Sequence, residues 1–379
     1  MNDFTIKLLR DLVAIDSVNP SLVPGGAGEK QIGDAIAKVL RKCDLDVEVI
    51  EAAPGRPNVI GILRGQRPGP TLMYCGHTDT VGVEGMSRPF DPVIKEGRLY
   101  GRGSQDMKGG LAAIIGAARE LSHSHADLLG TLLIAAVADE EYASIGASAL
   151  VQSWKADAAV VTEPSDLSIG IAHKGFSWLE VSTEGRAAHG SRPLEGRDAI
   201  LRMGRVLAQL EHLSSELRSR NPHPLLGNAS LHASLIAGGR ELSTYPDRCS
   251  LKMERRLLPG ETDSVALQEV QDILQKIGRE DKEFQATVKL LFGQPAYETP
   301  SDHQLPAMLQ SLTSKAGVKT QLSGMTFWTD AAILGGAGIP SLVFGPGGAG
   351  LHGVEEYVRM DEVLLCKDIL VQLARQYLG

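Results

Sequence analysis

The stretch TLLIAAVADEEYASIGA, residues 131–147, joins two opposed kinds of chemistry. Thr131 to Ala138 is an apolar run without polar alternation, the pattern of a strand buried on both faces of a sheet. It ends in three consecutive carboxylates, Asp139, Glu140 and Glu141. A carboxylate withdrawn from water is costly unless it is paired, protonated or bound to a metal.

Similar short runs recur: LDVEVI (45–50), NVIGIL (58–63), TLMYCG (71–76) and DAAVVT (157–162). Between them lie segments with apolar residues at helical spacing, 4–14, 31–42 and 110–122. Strands alternating with helices predict an α/β domain whose mostly parallel sheet is flanked by helices. After about residue 175 the pattern changes. FSWLEVSTEG (176–185) and CSLKMERRLL (249–258) alternate polar and apolar residues, a helical stretch spans Asp198 to Ser219, and FQATVKLLF (284–292) reads as a further strand. The order β, α, β, β, α, β predicts a small α+β domain, an open sheet with helices on one face. The α/β style then returns, with a final helix from Val363 to Leu378. The expected organisation is a first catalytic part, 1–174, an insert, 175–291, and a second catalytic part, 292–379.

The chain has 379 residues, 43% hydrophobic and 22% charged, enough for two or three domains with full cores. A net charge of −8 with no basic block argues against nucleic acid as a partner. No basic-then-apolar leader and no apolar run near the ~20 residues of a membrane span is visible. Four scattered cysteines without a CxxC pair predict a reduced, cytoplasmic setting with thiols in the core.

Ligand-type side chains follow four of the apolar runs: His77, Thr78 and Asp79 follow TLMYCG, Glu140 and Glu141 follow TLLIAAVAD, Glu163 follows DAAVVT, and His352 follows SLVFGPGGAG. Asp106 lies in a Gly-rich turn before a helix. In open α/β sheets, ligands bind beyond the carboxyl ends of the strands. Two histidines with several carboxylates, and no serine or cysteine nucleophile signature, suit zinc, with manganese or cobalt as substitutes. Taken singly, a strand-end histidine or carboxylate reads as a structural or solvated residue; the shared direction of all of them points to a metal site. His123, His125, His212, His223, His232 and His303 show no ligand company, and His173 reads as structural.

The motifs GHTD (76–79), GRGSQDMKGG (101–110), ADEE (138–141), TEPS (162–165), AHGSRP (188–193), ERRLLPGE (254–261) and FGPG with LHGVEEYV (344–347, 351–358) resemble, in order and over essentially the whole chain, the zinc-dependent acetylornithine deacetylase/succinyl-diaminopimelate desuccinylase family, with its glutamate carboxypeptidase and aminoacylase relatives. The resemblance implies a zinc-exopeptidase-like catalytic domain holding two divalent metal ions, most simply zinc, with cobalt or manganese possible, and an inserted lid domain that forms a homodimer. It implies that Asp106 bridges both metals, that His77 and Glu163 complete one site, and that Glu141 and His352 complete the other. Asp79 would hold the His77 imidazole by its second nitrogen. Glu140 would be the general base, moving a proton from the attacking water to the leaving amine.

In the insert, His189 matches the family histidine that donates to the oxyanion, often across the dimer, and Arg256 the arginine that binds the substrate carboxylate. Arg255, on the other face of that strand, reads as structural. Backbone N–H groups of Gly345, Gly347 and Gly348 are candidate donors to the same carboxylate. Ser243 and Ala332 depart from the family pattern, which leaves the metal chemistry intact and the substrate open. The implied function is cleavage of the amide bond of an N-acyl amino acid or dipeptide-like substrate with a free carboxylate. The alternatives are a di-metal aminopeptidase acting on free N-termini and a non-catalytic metal-binding member.

Overall fold

A computed structural model describes residues 3–124 and 128–379; His125 lies outside the described residues. The chain forms two compact units. One comprises 1–171, 299–323 and 329–379, the other 172–298 and 324–328.

The first unit is built on a sheet ordered Asp46–Ala53, Arg56–Arg64, Leu129–Val137, Arg67–His77, Ala158–Val161, Ser341–Val343, Ile169–His173, the last of which runs on past residue 171. The four central strands, from Leu129–Val137 to Ser341–Val343, are mutually parallel. Both edges are antiparallel, so the sheet is mixed rather than uniformly parallel. On one side the cause is local: Ala53 pairs with Arg56 across the two-residue link Pro54–Gly55, and only a hairpin closes over so short a connection. Gly55 has φ +74°, as such a turn requires.

The central strands are apolar because both of their faces are covered. Leu72, Tyr74, Leu132, Ile134, Ala136 and Val160 join one buried cluster with residues of helices Phe4–Val13, Lys30–Lys42, Gly109–His123 and Met360–Tyr377. The alternate residues Met73, Cys75, Leu133, Ala135 and Val161 are equally buried, and helices Ile145–Ser153 and Ala331–Gly336 pack on the same sheet. The Tyr74 hydroxyl satisfies itself on the Leu370 carbonyl, 2.6 Å away. Asp3 caps the first helix by accepting from the Thr5 and Ile6 amides.

A small sheet not expected from the sequence orders Gly348–Ala349, Tyr357–Arg359, Arg98–Tyr100 and Val93–Lys95. It ties the segment leading to Asp106 to the segment following His352. All four cysteines are buried and free. Among the described residues no helix is long and apolar enough to cross a membrane.

The second unit carries the β, α, β, β, α, β order. Its antiparallel sheet runs Ser230–Gly238, Arg248–Leu257, Gly175–Glu184, Gln285–Gln294. Leu179, Val181, Leu251 and Met253 face Met203, Val206 and Leu210 of helix Ala199–Ser219 and Val270 and Leu274 of helix Asp263–Glu280. This unit is longer than the expected insert, 175–291. Its last strand runs to Gln294, Tyr297 and Glu298 pair with His173 and Ala172, and residues 324–328 belong to it. The Lys174 amide donates to the Met325 carbonyl and the Trp328 indole to the Pro295 carbonyl, which accounts for that short excursion.

Candidate active site

Strand register places the key side chains. His77 pairs with Val137 across two parallel strands, so Asp79 and Asp139 emerge at one level beyond the sheet. Cys75 pairs with Val161, which brings His77 level with Glu163. Asp106 reaches the same edge from the Gly-rich turn and His352 from the loop after Ser341–Val343.

Two triads result. The ligand atoms of His77, Asp106 and Glu163 lie within 4.8 Å of one another, as do those of Asp106, Glu141 and His352. Asp106 spans both: its Oδ1 is 3.0 Å from His77 Nε2 and its Oδ2 3.2 Å from His352 Nε2. Glu163 Oε1 is 3.6 Å from His77 Nε2, and Glu141 Oε2 is 3.3 Å from His352 Nε2. Glu140 belongs to neither triad, with its Oε2 3.9 Å from His77 Nε2.

The electrostatics are those of anions short of cations. Burial, and then repulsion from Glu163, pushes Glu140 well above its ordinary range. Burial likewise raises Glu163 and Glu141, with the neighbouring carboxylates adding to it. Burial opposes the charging of Asp106 too, yet contacts with His352 and His77 outweigh it and hold that carboxyl down. Contacts with Asp106 and Glu141 push His352 up to about 10. Glu141 Oε1 and Glu163 Oε1 are buried with no hydrogen-bond partner among the described residues. Orphaned carboxylate oxygens beside imidazole nitrogens are a donor set that fits divalent cations.

Asp79 differs from its expected place. The nearer neighbour of His77 Nδ1 is the Asp79 carbonyl, at 3.0 Å; the carboxylate stands at 3.5 Å. That carboxylate instead accepts the Glu140 amide on Oδ1 and the Glu141 amide on Oδ2, both at 3.1 Å, and the Asn19 amide nitrogen at 2.7 Å.

The glycine loop requires a correction. The Gly345 amide is spent on Ser165 Oγ at 3.0 Å and the Gly347 amide on Glu362 Oε2 at 2.8 Å, so neither is free for a substrate carboxylate. Gly348 pairs with Val358 in the small sheet. These positions need glycine for close packing: a Cβ would meet the Glu163 carbonyl at Gly345 and the Tyr357 carbonyl at Gly348.

His189 and Arg256 lie in the second unit. His189 is exposed, its Nδ1 2.8 Å from Ser191 Oγ, and the Gly190 amide beside it donates to the carbonyl of Ser243. Arg256 sits over the Phe176 ring, 5.6 Å from its centroid, and donates to the Thr326 carbonyl. Arg255 points to the opposite face, buried against Glu261 and Glu269. Ala332, the other departure from the family pattern, is buried in helix Ala331–Gly336.

Several supporting residues escaped the sequence reading. Asn19 bridges Asp79 and Asp139 (2.7 and 3.0 Å); Arg56 joins Asp139, at 2.8 Å, to Glu29. Glu356 holds the Asp106 turn by its backbone. Asp330 is buried, and burial pushes its carboxyl up to about 7. Asn19 before Pro20 reads as an ordinary turn, and Arg56 and Glu29 are single charges 27 residues apart; no spacing links them.

The pattern of peptidase family M20/M25/M40 matches residues 73–376, a span that includes every residue of the two triads and Glu140. The chain belongs to peptidase family M20/M25/M40. This M20 chain is 31% identical to an acetylornithine deacetylase of Proteus mirabilis (strain HI4320), with 98% of this chain and 96% of that protein covered. It is 27% identical to an N-formyl-4-amino-5-aminomethyl-2-methylpyrimidine deformylase of Bacillus subtilis (strain 168), covering 95% and 91%. In fold it is similar to aminopeptidase PepT from Bacillus cereus ATCC 10987, with TM-score 0.82 at 19% identity and coverage of 99% and 98%. A dinuclear metal binding M20 peptidase of Bacillus subtilis gives TM-score 0.77 at 17% identity, covering 99% and 97%. The M20 chain is a metallo-hydrolase acting on amide bonds.

Proposed function

We propose that this chain is a two-metal amidohydrolase that cleaves the amide bond of N-acyl amino acids bearing a free carboxylate, with zinc as the metal. The observation that carries the reading is the pair of triads sharing Asp106, with Glu140 beside them and in neither. His77, Asp106 and Glu163 would hold one ion, and Asp106, Glu141 and His352 the other. When bound, the ions supply Lewis-acid polarisation of the scissile carbonyl and acidify water.

The remaining chemistry belongs to the side chains. Glu140, beside the triads and in neither, accepts a proton from the attacking water and returns it to the leaving amine. Asp79 orients Glu140 and Glu141 through their amides. Arg256 offers a fork of donors suited to the substrate carboxylate, and His189 a donor for the developing oxyanion. The 31% identical deacetylase and the 27% identical deformylase, by their names, both remove small acyl groups from nitrogen, which favours an acyl amide over a long peptide.

The strand Ser230–Gly238 is an edge of the second unit's sheet, with Leu235 and Ile236 exposed. An unpaired apolar edge of this kind is suited to pairing with a second copy, and a homodimer through this unit is part of the proposal.

The test is a hydrolysis screen with zinc added, over N-acetyl, N-succinyl, N-formyl and N-carbamoyl amino acids, dipeptides and an amino-acyl anilide, run on the wild type and Glu140→Gln. Turnover of an acyl amino acid by the wild type, lost in Glu140→Gln with zinc content unchanged, is expected. Preference for the anilide, or full activity in the variant, overturns the reading.

A further inference from the structure

The two triads are not anchored alike. His77 ends one strand and Glu163 lies two residues past its parallel neighbour, and the register of the pair sets their spacing. His352 follows a loop, its side chain 55% exposed and its φ at +57°. Its own packing does not place it.

What places the loop is a buried carboxylate. Glu356, 1% exposed, has both oxygens engaged. Its Oε1 accepts the amides of Gln105 (2.8 Å) and Asp106 (3.1 Å); its Oε2 accepts the Gly103 amide (3.0 Å) and Arg102 Nη1 (2.7 Å). The turn that presents Asp106 is therefore wrapped around one side chain from the His352 segment. Its carbonyl also accepts the Gly101 amide. Arg102, 3% exposed, closes the loop: its Nη2 donates to the carbonyl of Gly353, next to His352, at 3.0 Å, and its Nε to the Gly82 carbonyl at 3.1 Å. Charge-assisted bonds to a buried carboxylate are strong and directional, and a planar guanidinium with three separate acceptors fixes their relative positions.

We propose that Glu356 and Arg102 are positioning residues that lock the Asp106 turn to the His352 loop and so set the affinity of the Asp106–Glu141–His352 triad for its cation. Neither touches the reacting atoms. The inference rests on the two-metal reading above. Arg102 reaches His352 directly, through Gly353, and the Asp106 turn only by way of Glu356; Glu356 holds the Asp106 backbone itself.

The test uses the full chain loaded with zinc and exposed to graded chelator, with zinc per chain measured by atomic emission, for wild type, Arg102→Lys and Glu356→Gln. The thermal midpoint of each zinc-stripped chain is recorded beside it. The wild type is expected to release two ions in sequence. In Arg102→Lys the first ion leaves at a chelator concentration at least about tenfold lower, as for other outer contacts that orient ligands, while the second is released within about threefold of wild type. Glu356→Gln shows the same early loss with a larger effect on the second ion. Release at wild-type concentrations in a folded Arg102→Lys chain, or an equal shift of both ions in that variant, overturns the inference. If Glu356→Gln does not fold, Arg102→Lys decides alone; if neither folds, a fold-bracing role stands in place of the proposed tuning and the inference is overturned. A wild-type chain that never holds two ions overturns the two-metal reading itself.

Discussion

The backbone amides of Glu140 and Glu141 donate to the two oxygens of one carboxylate, that of Asp79, at 3.1 Å each. Two adjacent residues are thereby held so that one side chain approaches His77 and the next approaches His352. In the proposed chemistry this turn, just past the strand Leu129–Val137, divides the work of proton carrier and metal ligand between the two side chains.

Asp79→Asn tests this clamp. An asparagine has one acceptor oxygen, and its NH2 group faces an amide N–H instead of accepting from it. We expect kcat/KM to fall about 10- to 100-fold at saturating zinc. Kinetics within threefold of wild type would contradict the role given to Asp79.

Arg56 stands behind that clamp, buried and paired with Glu29 and Asp139. Arg56→Met leaves both carboxylates without their cation. Breaking a buried pair from one side costs about 3–5 kcal/mol, and chemical denaturation at pH 7 should show a loss of that order. A loss under about 1 kcal/mol would mean that Asn19 and the backbone amides suffice for Asp139.

His173 carries a pH dependence. Burial lowers it from 6.5 to about 4, so it is neutral in the folded protein and protonates first in the unfolded chain. The unfolded state then binds more protons between these values. The stabilisation is full above pH 6.5 and is lost as pH falls toward 4, worth roughly 3 kcal/mol over that window. Urea denaturation at pH 7 and pH 5 should show a smaller acid-dependent loss for His173→Gln than for wild type. Identical losses would remove His173 from the acid response.

Arg256→Met addresses substrate selection. Removal of the guanidinium should raise KM, or lower kcat/KM, at least about tenfold for substrates with a free carboxylate, and leave the corresponding carboxamides nearly unchanged. An equal loss on both would argue for a structural role over Phe176.

The parallel core was readable because burial on both faces removes polar residues from a strand, and the ligand-type side chains stood out at the ends of such runs. Asp139 shows where that legibility stops. Its carboxylate takes Arg56 and Asn19 from distant turns, and nothing in the spacing of Asn19, Glu29 and Arg56 announces that they meet. The same holds for Glu356, one of two adjacent glutamates, of which only the one facing Arg102 is buried. The glycines of 345–348 misled in the opposite sense. A Gly-rich loop at a strand end suggests free amides, but those of Gly345 and Gly347 go to Ser165 and Glu362. Edge strands and the ends of the inserted unit depend on hairpin closure and on residues 324–328 folding back, which local pattern does not encode.

The most direct measurement is a crystal structure of the zinc-loaded chain with anomalous scattering collected at the zinc edge. Two peaks are expected, one among His77, Asp106 and Glu163 and one among Asp106, Glu141 and His352, with the Glu140 carboxylate bound to neither. No peak at either triad, or a single ion held by Glu140, would contradict the shared-aspartate centre from which the proposed chemistry is built.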